Sequence, residues 1–206
     1  MNAIMKKTKE NGRDRLIASA LKLFSEKSFH AVSVREICDD AHANPSLISF
    51  HFGGKESLLE VIFQEQLISS RFQDMVNILS TPTSALDVNV KLSLFLKSYV
   101  DFYLENKEVV SLYLEELEKG HDLARKILSQ TYGQVWDRLL LFIQESQQQK
   151  FINPEWDAKI VCFQVISPFF SLIRSRATNL RRTECSLDDI EFTDKLIKQI
   201  VCSIKE

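Results

Sequence analysis

The stretch Gly53-Gly54-Lys55-Glu56 has the glycine–lysine character of a phosphate-binding loop, in which backbone amides cradle an anion and the lysine adds charge. The upstream glycine of such a loop is missing, however, and Glu56 stands where a Ser or Thr would hold magnesium. No G-x-S-x-G elbow, no H-E-x-x-H helix and no carboxylate–histidine cluster occurs elsewhere. The cysteines Cys38, Cys162, Cys185 and Cys202 form no C-x-x-C pair, and none lies near a His at metal-ligand spacing. They read as reduced thiols that pack as small hydrophobes. These residue types imply no enzyme, no metal and no cofactor. What they do offer is contact with phosphate. Lys6, Lys7 and Lys9 form a compact basic arm with no acid until Glu10.

Net charge over the 206 residues is −2, but residues 1–60 carry +1 and residues 61–206 carry −3. Three of the four His lie in the first part. Phosphate contact depends on local charge rather than on the chain total, so the near-neutral sum does not exclude nucleic acid.

The elements that must position these groups are helical throughout. Ile17, Ala20, Leu21 and Phe24 recur at i, i+3, i+4 and i+7, which predicts a helix from Gly12 to Lys27 with one apolar face. Ser33-Val34-Arg35-Glu36 is a capping-box sequence, followed by Val34, Ile37, Cys38 and Ala41 at the same spacing. Asn44-Pro45 then supplies an N-cap and a first helical residue for a third, shorter helix that ends before Gly53-Gly54. Two short helices joined by Ala41-His42-Ala43-Asn44 describe a helix-turn-helix. A fourth helix is expected to run from Gly54 until Thr81-Pro82. Further helices are expected over 84–105, 108–118, 121–149, 154–178 and 187–205, with Asn153 and Ser186 as N-caps, giving an all-α chain of about nine helices. The stretch Ile160–Ile173 is apolar nearly all round and must be covered on several sides. Pro168 inside it removes a backbone donor. The N-terminus lacks the apolar run of a secretory signal, and no segment is apolar enough to span a bilayer. A cytoplasmic protein with no membrane association is expected.

Residues 13–63 resemble the DNA-binding domain of TetR-family transcriptional regulators. The resemblance rests on Ile17, Ala20, Leu23-Phe24, Phe29, Ser33-Val34-Arg35-Glu36-Ile37, Ala41, Ile48, His51-Phe52, Lys55-Glu56 and Leu58-Leu59. It implies a helix-turn-helix domain over 10–70, with the motif at about 33–52, and a helical effector-binding and dimerisation domain over 71–206. Four positions depart from the family pattern. Ser28 and His42 stand where glycines are common, Asn44 replaces a frequent serine, and Ser49 replaces a tyrosine that often touches phosphate.

The resemblance further implies that the third helix enters the major groove of a palindromic operator. Pro45, Ser46 and Leu47 then lie nearest the bases, Ser49 and His51 lie towards the backbone phosphates, and Phe50 counts among the DNA-contacting residues. Lys55 is expected to clamp a phosphate at the start of the fourth helix, with Ser33, Arg35 and Asn44 adding contacts and the Lys6–Lys9 arm reaching along the duplex. The last two helices, about 154–178 and 187–205, are expected to pair two copies into a homodimer. An unknown small apolar or aromatic effector is expected among the middle helices, with Tyr103, Tyr113, Trp136 and Phe163 as its wall, and its binding releases the repressor. The competing reading is a helical protein-interaction module with a degenerate DNA-binding domain.

Overall fold

The computed structural model describes residues 12–177 and 186–204. Among these, eleven α-helices occur: α1 Gly12–Lys27, α2 Val34–Asp40, α3 Ser46–Phe52, α4 Lys55–Leu67, α5 Ser70–Asn77, α6 Ala85–Glu105, α7 Lys107–Glu118, α8 Asp122–Leu128, α9 Gln134–Gln148, α10 Ala158–Ala177 and α11 Ile190–Ser203. The chain divides into two units, one ending at Glu65 and the other beginning at Gln66.

In the N-terminal unit α1 packs on α2 and α3. The inward stripe of α1 is Leu16, Ala20, Leu23 and Phe24, with Ile17 and Leu21 only half-buried at its edges. The apolar face is therefore turned slightly from the one expected. Ser33 caps α2 as its sequence predicts: the Ser33 hydroxyl accepts from the Glu36 amide at 3.2 Å, and the Glu36 carboxylate accepts from the Ser33 amide at 2.9 Å. The Asn44 side chain accepts from both the amide and the hydroxyl of Ser46, at 2.9 and 2.8 Å. Pro45 already has helical dihedrals. The third helix therefore begins as expected, with its first orphan donor satisfied.

α2 ends in a left-handed turn. The Ala43 amide donates to the Cys38 carbonyl at 2.8 Å and the His42 amide to the Asp39 carbonyl at 3.3 Å, with His42 at φ +50°. This pairing needs a left-handed residue, which is why glycine usually fills it. Ser28, after α1, also has a positive φ, +70°. Both positions where the sequence departs from glycine are thus left-handed, and the backbone accepts the strain. His42→Gly is expected to relieve about 1–2 kcal/mol of left-handed strain. Against this stands the extra entropy of an unfolded glycine, about 0.5–1 kcal/mol, which leaves a net gain near 1 kcal/mol. Denaturant unfolding checks this, with His42→Ala as the control that gains nothing.

In the second unit the expected fourth helix is broken. Ser69 caps a new helix, α5, by accepting from the Phe72 amide at 3.4 Å. The expected 121–149 helix is interrupted by a π-helical turn over Ser129–Gly133, between α8 and α9. These two breaks account for the two α-helices beyond the expected nine. Two helix starts also move. Asn153 and Ser186 cap only short turns, accepting from Glu155 and Asp188 amides. The caps of α10 and α11 are Asp157 and Asp189, which accept from the Ile160 and Phe192 amides at 3.2 and 3.1 Å.

α6 is the spine of this unit, touching α5, α7 and α11, while α10 packs on α7, α9 and α11. Leu92, Phe95, Phe142, Cys162, Val165 and Phe169 are fully buried between them. The stripe Ile197, Ile200, Val201 and Ile204 is buried within this unit. α10 continues through Pro168, and its outer side leaves Ile160 and Phe163 60% and 61% exposed.

Candidate functional site

The first candidate surface is the outer side of α3. Asn44, Pro45, Ser46, Ser49 and Phe50 are exposed, and Leu47 and His51 are half-buried. Ile48 and Phe52 anchor the helix from beneath, and the Arg13 guanidinium lies over the Phe52 ring at 5.5 Å. The exposed side of α3 carries an amide, two hydroxyls and a phenyl ring, with no formal charge. Phe50 is 79% exposed, the most exposed large apolar side chain in the described residues. Such a set can read base edges by shape, hydroxyl hydrogen bonds and methyl contact.

The charges lie around this helix. Lys22 pairs with Asp40 at 2.8 Å, Lys27 with Glu36 at 2.9 Å, and Arg13 with Glu65. Among the described residues Arg35, exposed on α2, has no acidic partner. Glu36 accepts from the Ser33 amide, the Lys27 ammonium and the Ser33 hydroxyl, which together hold its carboxyl down to about 2. The Ser33 hydroxyl both accepts from and donates to Glu36, so its chief work is capping. Lys6, Lys7 and Lys9 lie outside the described residues.

Lys55 has a role that its sequence context does not display. Its ammonium donates to the carbonyls of Phe29 and Val32, at 3.0 and 2.9 Å, and lies 4.4 Å from the centre of the Phe29 ring. Phe29 is itself fully buried and meets Phe24 edge to face at 5.1 Å. Lys55 thus ties the start of α4 to the loop between α1 and α2, directly before the Ser33 cap. These bonds use two of the three N–H donors of the ammonium.

The second candidate site is a cavity of about 90 Å³ in the helical unit. Tyr103 and Tyr113 line it, together with Phe72, Phe102, Thr131 and Phe170, among others. Trp136 does not reach the wall; it stacks on the wall residue Tyr132 at 6.4 Å. Phe163 points away, on the exposed side of α10. Of the four aromatic residues expected around an effector, two are brought together. Tyr99 and Tyr132 line the same cavity and were not singled out by their sequence context.

A short capped helix-turn-helix with an uncharged outer face is thus followed by a helical unit that holds an apolar cavity. Residues 16–62 match the model of the bacterial regulatory proteins of the tetR family. A probable HTH-type transcriptional regulator of Bacillus subtilis, YttP, is 24% identical over 186 residues, covering 79% of this chain and 87% of that protein. The HTH-type transcriptional repressor KstR2 of Mycolicibacterium smegmatis is 28% identical over 153 residues, 72% of this chain and 71% of the relative. In fold, the chain is similar to the transcriptional regulator FadR from Bacillus subtilis, solved with stearoyl-CoA (TM-score 0.70, 17% identity, 92% of this chain and 98% of that one). The chain belongs to the TetR family of helix-turn-helix transcriptional regulators. That family is non-enzymatic. No helix among the described residues is long and apolar enough to cross a membrane.

Proposed function

We propose that the protein is a cytoplasmic, homodimeric repressor that holds a palindromic operator through α3 and lets it go when a small apolar or aromatic effector enters the helical unit. The observation that carries the operator half is the exposed side of α3: Pro45, Ser46, Ser49 and Phe50 face outward while Ile48 and Phe52 fix the helix from inside. Pro45, Ser46 and Leu47 approach base edges, and Phe50 offers its ring to thymine methyls or sugar edges. Asn44, Ser49, His51, Arg35 and the remaining donor of Lys55 face the phosphates, Ser33 supports them as a cap, and the Lys6–Lys9 arm adds charge along the duplex.

Ile160 and Phe163 support a dimer seam on α10, because two large apolar side chains left in water on one helix gain most by meeting a second copy. α11 contributes less than α10 to that seam, since its apolar stripe is already spent within its own unit. Repression and effector release are supported by two similar proteins: the Mycolicibacterium smegmatis KstR2 is a repressor, and the Bacillus subtilis FadR structure holds stearoyl-CoA. Release needs little energy, since a tenfold loss of operator affinity is about 1.4 kcal/mol of differential binding.

Phe50→Ala tests the operator half. The side chain is 79% exposed, so thermal stability should stay where it is. Affinity for a selected operator duplex, measured by fluorescence anisotropy, should fall about tenfold. Unchanged affinity removes Phe50 from the interface.

A further inference from the structure

The outer side of α3 carries a phenyl ring at its centre. At about 100° per residue, the direction opposite the buried pair Ile48 and Phe52 is that of Phe50, with Ser46 and Leu47 on either side of it. Phe50 therefore projects furthest from the body of the unit, in agreement with its 79% exposure. It meets the ring of its chain neighbour His51 edge to face, with 5.0 Å between centres, which steadies the ring without covering it. An apolar side chain stabilises a fold by leaving water, so a ring held in this place adds nothing to the free protein.

The polar groups beside Phe50 are committed by the start of the helix. The Asn44 side-chain oxygen accepts from both the amide and the hydroxyl of Ser46, at 2.9 and 2.8 Å, so both of its lone pairs are used. Asn44 thus cannot make the paired donor–acceptor contact by which an asparagine reads adenine. The Ser46 hydroxyl has given its hydrogen to Asn44 and turns outward as an acceptor. A base can meet it only with an amino hydrogen, from cytosine N4 or adenine N6. No Lys or Arg stands on α3, so the two acceptors of guanine find no bidentate partner on this helix. His51 lies about a quarter turn away from Phe50 and is half-buried.

Resting on the operator reading above, we infer that Phe50 selects the base facing the middle of α3 in each half-site, and that it selects thymine by packing on the 5-methyl group. That methyl is the one apolar group that the major groove presents. Cytosine in the same place has an amino hydrogen but no methyl, which leaves the ring against water. Guanine offers acceptors to a side chain that has no donor. Ser46, as an acceptor, adds a preference for an amino-bearing base at the adjoining pair.

The test uses the full-length protein and an operator duplex selected from a random pool. Each thymine is replaced in turn, symmetrically in both half-sites, by deoxyuridine, which keeps every hydrogen-bonding atom and removes only the methyl. At one thymine position the affinity, measured by fluorescence anisotropy, is expected to fall about tenfold, from about threefold in each half-site. Phe50→Ala should bind the thymine operator as weakly as the unaltered protein binds the deoxyuridine operator, and should not distinguish the two duplexes. Equal binding of thymine and deoxyuridine operators by the unaltered protein at every position overturns the assignment. So does a deoxyuridine effect that persists in full in Phe50→Ala, because it then belongs to duplex shape or to another side chain. Both of those results leave operator binding standing. A pool from which no duplex is enriched removes the operator reading and the thymine assignment together.

Discussion

Phe29→Ala is expected to destabilise the N-terminal unit by about 3–5 kcal/mol and to abolish operator binding at 37 °C. The ring is fully buried, packs edge to face on Phe24, and forms the floor beneath the Lys55 ammonium. Truncation leaves a cavity that α1 and α2 cannot close, because both are fixed at their ends by the left-handed Ser28 and by the Ser33 cap. A small unit commonly has only about 5–15 kcal/mol in hand, so this single change removes a large share of it. Phe29→Leu keeps most of the apolar volume and should cost much less, while losing the ring face under Lys55. Denaturant unfolding of the full chain measures both. A loss below about 1 kcal/mol for the alanine variant would show that the Phe29 site collapses without consequence.

Lys55→Met is expected to cost about 2–3 kcal/mol of stability, with operator affinity falling more than tenfold. Hydrogen bonds to a charged donor contribute about 1.5–3 kcal/mol each and the ring contact about 0.5–1 kcal/mol; water around the half-exposed side chain discounts their sum, at least about 3.5 kcal/mol, to about 2–3 kcal/mol. Methionine retains the aliphatic stem but leaves the Phe29 and Val32 carbonyls without their donor. Because Lys55 and Phe29 touch, the double variant Lys55→Met with Phe29→Leu should be less damaging than the two separate losses added together. A different result belongs to a lysine that acts only as a phosphate clamp. In that case stability is unchanged and the logarithmic salt slope of DNA binding falls by about 1.

The punctuation of the N-terminal unit was legible because it is local. A serine followed three residues later by glutamate, an asparagine followed by proline, and a glycine pair fix α2 and α3 almost to the residue. The left-handed turns at Ser28 and His42 were visible as departures from glycine, and the backbone did take the strained conformation there. The break at Ser69 was not legible. Apolar residues continue on both sides, and no proline or glycine marks the gap; only a serine cap does. The π turn escaped for a similar reason, since one extra residue in a long run barely disturbs a 3.6-residue period.

Side-chain direction was the harder matter. Leu16 and Leu23, seven apart, fit a helical stripe as well as Ile17 and Leu21, four apart, and periodicity alone did not choose between the two sets. α10 is apolar on nearly every side, so nothing in its pattern showed that Phe163 faces water while Val165 and Phe169 face the core. Lys55 advertises charge, but the two carbonyls it meets come from a loop more than twenty residues earlier. The tyrosines illustrate the same limit: their meeting is a product of how α6, α7 and the π turn pack, which no local pattern encodes.

The most direct test of the operator-binding account is selection of bound sequences from a random duplex pool by the full-length protein, followed by a salt titration on the enriched duplex. The account predicts a palindrome whose half-sites are about one helical turn apart, bound by two copies of the chain, with affinity falling steeply as salt rises. Failure to enrich any sequence, with weak binding indifferent to salt, would contradict it.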